Sequence, residues 1–270
     1  MTTFLRQKLR IWQALILIHF QEYLAYRASA MIWILTDVVV AFTMPVVWLS
    51  AAGDGTIQGF SGPDFVAYYI LALLLTSFVT CHFMWDINYE IREGVLSTQI
   101  IRPVNWLEFN FLRNASYRVL RTILFSPWLI IFYVVYGSQL SKSPFQFGWQ
   151  FWIVVLLGHV LSFASVMALT CIALFTEEAT SIFEVYYFPL IFLSGQLFPI
   201  SVLPQWAQNL SGILPFYYTV GAPTEIAMGR VADSQIPFVI GMQILWTLIS
   251  LVIFRFAWRA GLKRYTGVGM

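Results

Sequence analysis

The sequence lacks the motifs that mark the common enzyme classes. It contains no phosphate-binding loop of the form GxxxxGK[ST], no GxSxG nucleophile elbow, no HExxH zinc helix and no EF-hand loop. Its three histidines are far apart, and the histidines and the two cysteines do not have the spacing of metal ligands. We therefore expect no catalytic residues and no metal site. The residues expected to be packed side chains rather than ligands are Cys81, Cys171, His19, His82 and His159.

Charged residues are also scarce, because Asp, Glu, Lys and Arg together make up only 10% of the 270 residues. Apolar residues make up 59%, against about 45–50% in soluble domains, and the mean hydropathy is +0.75. This composition predicts an all-α, polytopic membrane protein. We expect a single membrane domain over residues 1–270, with no nucleic-acid partner and no room for a nucleotide-binding domain.

Six apolar runs are long enough to cross a hydrocarbon core about 30 Å thick, which takes about 20 helical residues. Cytoplasmic loops carry an excess of Lys and Arg, so these residues indicate the orientation. With both termini inside, thirteen of the fifteen Lys and Arg residues face the cytoplasm, and only Lys142 and Arg230 face outward. The sequence predicts six spans with cytoplasmic termini. The predicted spans are 28–51, 64–85, 119–137, 148–175, 180–200 and 235–257.

Residues 1–27 precede the first predicted span and combine basic with apolar side chains. Arg6, Lys8 and Arg10 alternate with aromatic and aliphatic residues, a pattern typical of a helix that lies in the membrane interface. A plain beginning of the first span is the alternative, because residues 14–20 are themselves apolar. The interfacial helix is the prediction that we carry forward.

Residues 86–103 form a polar island between two apolar runs. Ile87, Ile91 and Val95 recur at helical spacing on one side, which predicts a single short amphipathic helix that ends before Pro103. The segment lies between the second and third spans and therefore on the cytoplasmic side. We expect it to be a mechanical contact for a soluble partner.

Residues 194–223 are unusual for an outer loop, because they contain several prolines and glycines and no charge. Non-helical backbone at membrane depth is tolerated only where it is buried in protein or lines a cavity. We therefore predict two re-entrant or interfacial half-helices packed at the outer mouth, with an aromatic-rich interfacial loop as the alternative. The residues that mark this outer segment are Ser194, Gly195, Pro199, Pro204, Trp206 and Pro215.

An aspartate in the first predicted span and three arginines at the base of the third need a separate interpretation. Asp37 is near the middle of the first span, where a charge is costly and by default functional. A hydrogen bond from Asp37 to a neighbouring helix or subunit is an equal alternative. Arg113, Arg118 and Arg121 lie at the base of the third span. We expect them to anchor the protein by reaching lipid phosphates while their stems stay apolar, rather than to form a substrate site.

Three segments, taken in this order on six spans, resemble the ABC-2 type permeases of ABC exporters. E-I-R-E-G-V-L followed by I-I-R-P, within residues 90–103, resembles the coupling segment of that family. S-G-Q-L-F-P, L-P-Q-W and L-P-F-Y-Y, within residues 194–223, resemble its outer re-entrant segment. F-Q-E-Y-L-A-Y-R, residues 20–27, resembles the start of a bacterial subgroup whose members are often paired with a second, different permease.

This resemblance implies a transmembrane subunit that dimerises and recruits two cytosolic ABC ATPase subunits. ATP and Mg²⁺ would bind the partner ATPase, while this chain binds no cofactor and is not an enzyme. A heterodimer with a second permease is favoured over a homodimer, in the lipid of a bacterial cytoplasmic (inner) membrane. The ATPase-docking residues implied by the resemblance are Glu90, Arg92, Glu93, Gly94, Val95 and Leu96.

The resemblance further implies export of a hydrophobic or amphipathic substrate, such as a lipid, a glycolipid, a drug or a lipid-linked glycan. Two other classes remain open from the residues alone. One is an intramembrane enzyme acting on lipid-linked substrates, which would need converging polar residues. The other is an ion-coupled secondary transporter, for which Asp37 would be the candidate coupling residue.

Overall fold

The computed structural model describes residues 3–266, and most of these residues are helical. Among the described residues, five helices are long and apolar enough to cross a membrane, and a further apolar helix, α8, is shorter. The prediction of an all-α polytopic membrane protein is confirmed. The helices are α1 Thr3–Ala25, α2 Arg27–Ala52, α3 Gly62–Val79, α4 Met84–Arg92, α5 Val95–Ile100, α6 Trp106–Leu140, α7 Trp149–Thr170, α8 Ala179–Leu193, α9 Gln205–Ile213, α10 Gly221–Ala227 and α11 Ile236–Leu262, and the strands are β1 Thr56–Ile57 and β2 Phe60–Ser61.

Helices α3 and α7 lie at the centre of the molecule. All eight side chains of residues 65–72 in α3 are buried, so this helix is covered on every side. Helices α2 and α6 pack against α3, and α11 packs against α7. The outer helices keep exposed apolar side chains, among them Val39, Val134 and Phe256. Exposed apolar faces on long helices are typical of a surface in contact with lipid.

The third membrane helix begins earlier than the sequence predicted. The helix that contains the predicted span 119–137 is longer than the span, because α6 runs without interruption from Trp106 to Leu140. The side chain of Asn105 caps this helix, since its Oδ1 accepts hydrogen bonds from the backbone N–H groups of Leu107 (2.9 Å) and Glu108 (3.2 Å). Residues 106–118 therefore belong to the same rigid rod as the predicted span.

The fifth predicted span, 180–200, is shorter in the structure, because α8 ends at Leu193. Gly195 follows with a φ of +84°, a left-handed conformation that turns the chain back. A Cβ atom at this position would lie 2.6 Å from the Tyr68 hydroxyl and 2.9 Å from the Cα of Gly221. The close approach of these three segments therefore requires glycine.

Hydrogen bonds fasten the chain after α8 to the central helix α3. The buried Tyr68 hydroxyl donates to the Gly195 carbonyl at 2.6 Å, and Tyr69 donates to the Leu197 carbonyl at 2.9 Å. The Gly221 N–H donates to the Ser194 carbonyl at 2.8 Å, which closes the segment on itself. The chain between α8 and α11 is therefore a folded unit docked on α3.

Helix α9 in this unit begins immediately after Pro204, one of the residues that mark the predicted outer segment. A short 3₁₀ turn that precedes α9 follows Pro199, and Pro215 lies in the connection from α9 to α10. The apolar side chains Trp206 and Ile213 are 69% and 64% exposed, whereas the small residues on the opposite face are buried. The apolar face of α9 therefore points away from the rest of the chain.

Replacing Tyr68 by Phe tests how much the Tyr68–Gly195 contact stabilises the fold. We expect a loss of about 1–2 kcal/mol, because the Gly195 carbonyl would stay buried without its donor. The thermal unfolding midpoint of the detergent-purified protein should fall by about 2–6 °C. Tyr133→Phe is the matched control, since that side chain is 67% exposed. Equal midpoints for the two variants would contradict this assignment.

Candidate functional site

The predicted amphipathic helix over residues 86–103 is divided into two short helices, α4 and α5, by a corner at Glu93–Gly94. The prediction of a single helix is wrong, because Gly94 has a φ of +73° and adopts the left-handed conformation that ends helices. Ile87 and Ile91 are buried as predicted, but Val95 is 38% exposed because the corner redirects the chain. We call residues 90–102 the coupling corner.

The coupling corner presents charged and apolar side chains together at its surface. Arg92, Glu93 and Val95 are exposed, while Gly94 and Leu96 are buried and shape the corner from beneath. Ile101 is 81% exposed beside the exposed Arg102. Of the six residues expected to dock a partner, three are therefore accessible, two support the bend, and Glu90 faces inward.

Glu90 is the centre of a polar network that joins α4, α5 and α6. Its carboxylate accepts a hydrogen bond from the guanidinium of Arg113, and its Oε2 accepts another from Gln99 Nε2 at 3.0 Å. The Oε1 of Gln99 accepts from the indole of Trp106 at 2.8 Å. Charge-assisted bonds of this kind are stronger than neutral ones and fix the relative positions of the elements. The coupling corner is therefore attached firmly to the first turns of α6.

Sequence reasoning missed Gln99 and Trp106, although the sequence contained a signal for the helix start at Trp106. Asn105 followed three residues later by Glu108 is a helix-start pattern, and it marks Trp106 as the first helical residue. Trp106 also stacks on Trp258 of α11, with ring centroids 4.1 Å apart. The corner is thus connected to both α6 and the end of α11.

Helix α1, the predicted interfacial helix, packs along the beginning of α6. Glu108 accepts a hydrogen bond from the Trp12 indole and lies 3.2 Å from the Lys8 ammonium group. His19 meets the edge of Phe109 with centroids 5.0 Å apart, and burial lowers the pKa of this imidazole. The lowered pKa favours a neutral imidazole, and this fits a histidine that is packed at the contact between α1 and α6.

A cavity of about 920 Å³ lies behind the coupling corner, between α1, α2, α4, α6 and α8. Asp37 lies in this cavity and forms an ion pair with Arg121 of α6. The pair connects α2 to α6, so Asp37 has an internal partner on a neighbouring helix. The acidic, histidine and arginine residues that line the cavity are Glu22, Asp37, His82, Asp86, Glu90, Arg113, Arg118, Arg121 and Glu184.

The three α6 arginines do not reach outward to lipid phosphates, and the prediction that they act as anchors is wrong. Arg118 is 1% exposed and Arg121 is 5% exposed. Arg113 is turned toward Glu90 with 11% of its side chain exposed. The reason is the helical start at Trp106, which places all three on a rod that packs against α1, α2 and α3.

The remaining sequence candidates take part in packing around the break between α3 and α4. His159 Nδ1 donates to the Phe78 carbonyl at 3.1 Å, which satisfies a carbonyl at the end of α3. The N–H of Cys81 donates to Ser162 Oγ at 2.9 Å. Across residues 3–266, no group of three or more His, Cys, Asp or Glu side chains has the arrangement of a metal site.

Comparison with protein families gives one finding. A family model described as "ABC-2 family transporter protein" matches residues 27–269. The matched region contains the five long helices, α8, the coupling corner and the unit between α8 and α11, whereas α1 precedes it. No curated protein matches the chain significantly.

A double-mutant cycle tests the ion pair between Asp37 and Arg121. Asp37→Ala should destabilise the protein, because it leaves the Arg121 guanidinium buried without its counter-ion. Arg121→Ala in the Asp37→Ala background should cost less than it does in the wild type, with a coupling energy of about 1–3 kcal/mol. The measurement is thermal or denaturant unfolding of the purified variants.

The control cycle combines Arg121→Ala with Glu177→Ala, since Glu177 is exposed and does not line the cavity. This second pair should give additive effects. A coupling energy near zero for Asp37 and Arg121 would show that the two charges act independently.

Proposed function

The chain belongs to the ABC-2 family of transporter proteins, and from this premise we propose that it is the membrane-spanning subunit of an ATP-driven exporter. Membership makes it a transmembrane component of an ABC transporter, a transport subunit rather than an enzyme. The alternatives of an intramembrane enzyme and of an ion-coupled secondary transporter are set aside by this membership. In the proposal, a separate cytosolic ATPase binds ATP and Mg²⁺, and its two copies engage two permease subunits.

The observation that carries the proposal is the coupling corner. A soluble partner can grip a surface that combines charged and apolar side chains, because the charges orient it and the apolar groups exclude water. The exposed residues Arg92, Glu93 and Val95 supply this combination, and Ile101 and Arg102 extend it. We assign the docking surface to these five residues, with Gly94 and Leu96 maintaining its shape.

The internal bonds of the corner provide a route for mechanical coupling. A docked partner that moves the corner would also move α6, because Glu90 and Gln99 connect the two short helices to Arg113 and Trp106. The long, unbroken α6 would carry that movement past the cavity toward the opposite end of the molecule. Closure of the ATPase dimer would thereby switch the cavity between two arrangements as a rigid-body motion.

The remaining parts of the proposal concern direction, orientation and assembly. Transport is outward across a bacterial cytoplasmic membrane, with both chain termini inside, as the distribution of Lys and Arg favours. The cargo is hydrophobic or amphipathic. The second permease is a different chain rather than a second copy, which rests on the resemblance of residues 20–27. Exposed apolar side chains on α2 and α8, such as Trp33, Val185 and Phe188, offer a surface for it.

Charge reversal at the coupling corner tests the docking surface. Arg92→Glu and Glu93→Lys are to be introduced singly and co-expressed with the ABC ATPase that co-purifies with the wild-type permease. We expect each to reduce the co-purified ATPase about tenfold, because each places like charges against the partner at an interface. Gel filtration of the permease alone should be unchanged, since both side chains are exposed.

Lys142→Glu is the matched control, because Lys142 is exposed in the connection between α6 and α7, on the predicted outer side. This variant should retain the ATPase in full. Retention of the ATPase by both corner variants would remove the docking assignment.

Replacing Gln99 by Leu separates docking from coupling. This change removes the bonds to Glu90 and Trp106 while leaving the exposed surface intact. We expect normal co-purification of the ATPase but a loss of ATP-dependent transport, or of cargo-stimulated ATP hydrolysis, of about tenfold. Thr98→Val, at the exposed neighbouring position, should leave both properties unchanged. Normal transport by Gln99→Leu would show that the network does not transmit movement.

A further inference from the structure

Buried nitrogen atoms without a hydrogen-bond partner gather at the cavity. Among the described residues, five His or Arg side chains have such an atom, and four of the five line this one cavity. An unpaired buried donor is unfavourable, so a ligand that accepts hydrogen bonds complements the site. The four residues and their atoms are His82 Nε2, Arg113 Nη2, Arg118 Nη1 and Arg121 Nε.

Arg118 differs from the other two arginines in having no acidic partner. Arg113 is paired with Glu90 and Arg121 with Asp37, whereas no carboxylate of the described residues lies within ion-pair distance of Arg118. Its Nε donates to Asn114 Oδ1 at 3.5 Å, at the outer limit of a hydrogen bond. A buried cation normally has a counter-ion. The side chain therefore offers both a charge and a free donor to an anion in the cavity.

The acidic residues in the lining do not cancel this charge. Apart from the paired Asp37 and Glu90, they are Glu22, Asp86 and Glu184, which are all exposed. Exposed charges are screened by water and salt, whereas the buried Arg118 acts in surroundings of low polarity. The cavity is therefore acidic where it is open and basic where it is enclosed.

We propose that this cavity binds an amphiphile whose phosphate group lies against Arg118. A guanidinium is planar and donates in a fork that matches two phosphate oxygens. Arg113 and Arg121 line the same cavity, and each has one further donor without a partner. The aromatic residues Tyr23, Trp85 and Tyr187 line the same space and provide contacts for an apolar chain. The inference names the cargo class of the exporter and so rests on the proposed function.

An amphiphile suits the cavity better than a free phosphate ion. A volume of about 920 Å³ lies within the range of sites for ligands of drug size and far exceeds that of one phosphate group. Two helices that form the cavity, α2 and α8, also have exposed apolar side chains such as Trp33 and Phe188. A ligand with its chain among such residues and its head at Arg118 uses both features.

The first experiment compares four probes on the wild-type full chain, purified in a neutral maltoside detergent without any ATPase. The probes are dodecyl phosphate, dodecyltrimethylammonium, dodecanol and inorganic phosphate, and native mass spectrometry counts the bound molecules. We expect dodecyl phosphate to bind about tenfold more tightly than dodecanol, which has the same chain. Inorganic phosphate should not displace it at equal concentration.

The second experiment places the site with variants of the arginine. Arg118→Gln should weaken dodecyl phosphate binding about tenfold, and Arg118→Lys should restore part of it, because Lys keeps the charge but lacks the fork. Arg259→Gln removes an exposed arginine from α11 and should have no effect. If Arg118→Gln does not fold, the probe series on the wild type and on Arg118→Lys still decides the question.

Several outcomes would overturn the inference. Preferential binding of dodecyltrimethylammonium would make the exposed carboxylates the recognition element. Equal binding of dodecyl phosphate and dodecanol would show that the head group is not recognised, and displacement by inorganic phosphate would identify a site for the free ion. Because no ATPase is present, these results are independent of the docking experiment, and either proposal can fail alone.

Discussion

Three arginines on one helix, each removed from water, impose the constraint on which the cavity side of the molecule depends. A buried guanidinium requires acceptors, and two of the three arginines obtain a carboxylate from another helix. Arg113 is matched by Glu90 of α4, and Arg121 by Asp37 of α2. These pairs fix the distance of both helices from α6, and the cavity is the space that remains between them. The shape of the cavity therefore depends on the positions of these two ion pairs.

The central helix α3 relates this side of the molecule to the opposite end. Near its beginning, Tyr68 and Tyr69 hold the unit that follows α8, and at its end the helix breaks and continues as α4. His159 of α7 satisfies a carbonyl at the break, so the interruption is stabilised rather than frayed. In the proposed function, movement of the coupling corner would be passed to α6, to which it is hydrogen-bonded.

Hydropathy was sufficient to predict the helical class and the approximate spans, because each depends on local sequence. Local sequence signals also existed for the corner at Gly94 and for the start of α6. They were the glycine itself and the Asn105–Glu108 capping pattern, and both were overlooked because the segment has an apparent helical period. The pairs that Glu90 and Asp37 form could not be predicted, since their partners lie 23 and 84 positions away. Burial of Arg118 was missed because a basic residue beside a span has the same composition signal whether it faces lipid or protein.

A basic residue beside a span can face either lipid or protein, yet the predicted orientation was obtained by counting every Lys and Arg residue alike. The prediction therefore has to be checked without the buried arginines. The positive-inside rule concerns charges that must stay out of the bilayer, and arginines buried inside the protein are weaker evidence for it. If Arg113, Arg118 and Arg121 are omitted, ten of the remaining twelve basic residues still lie on the side of the termini and the coupling corner. The orientation therefore does not depend on the arginines whose role has changed. Those three residues line the cavity instead, and the predicted orientation rests on the other basic residues.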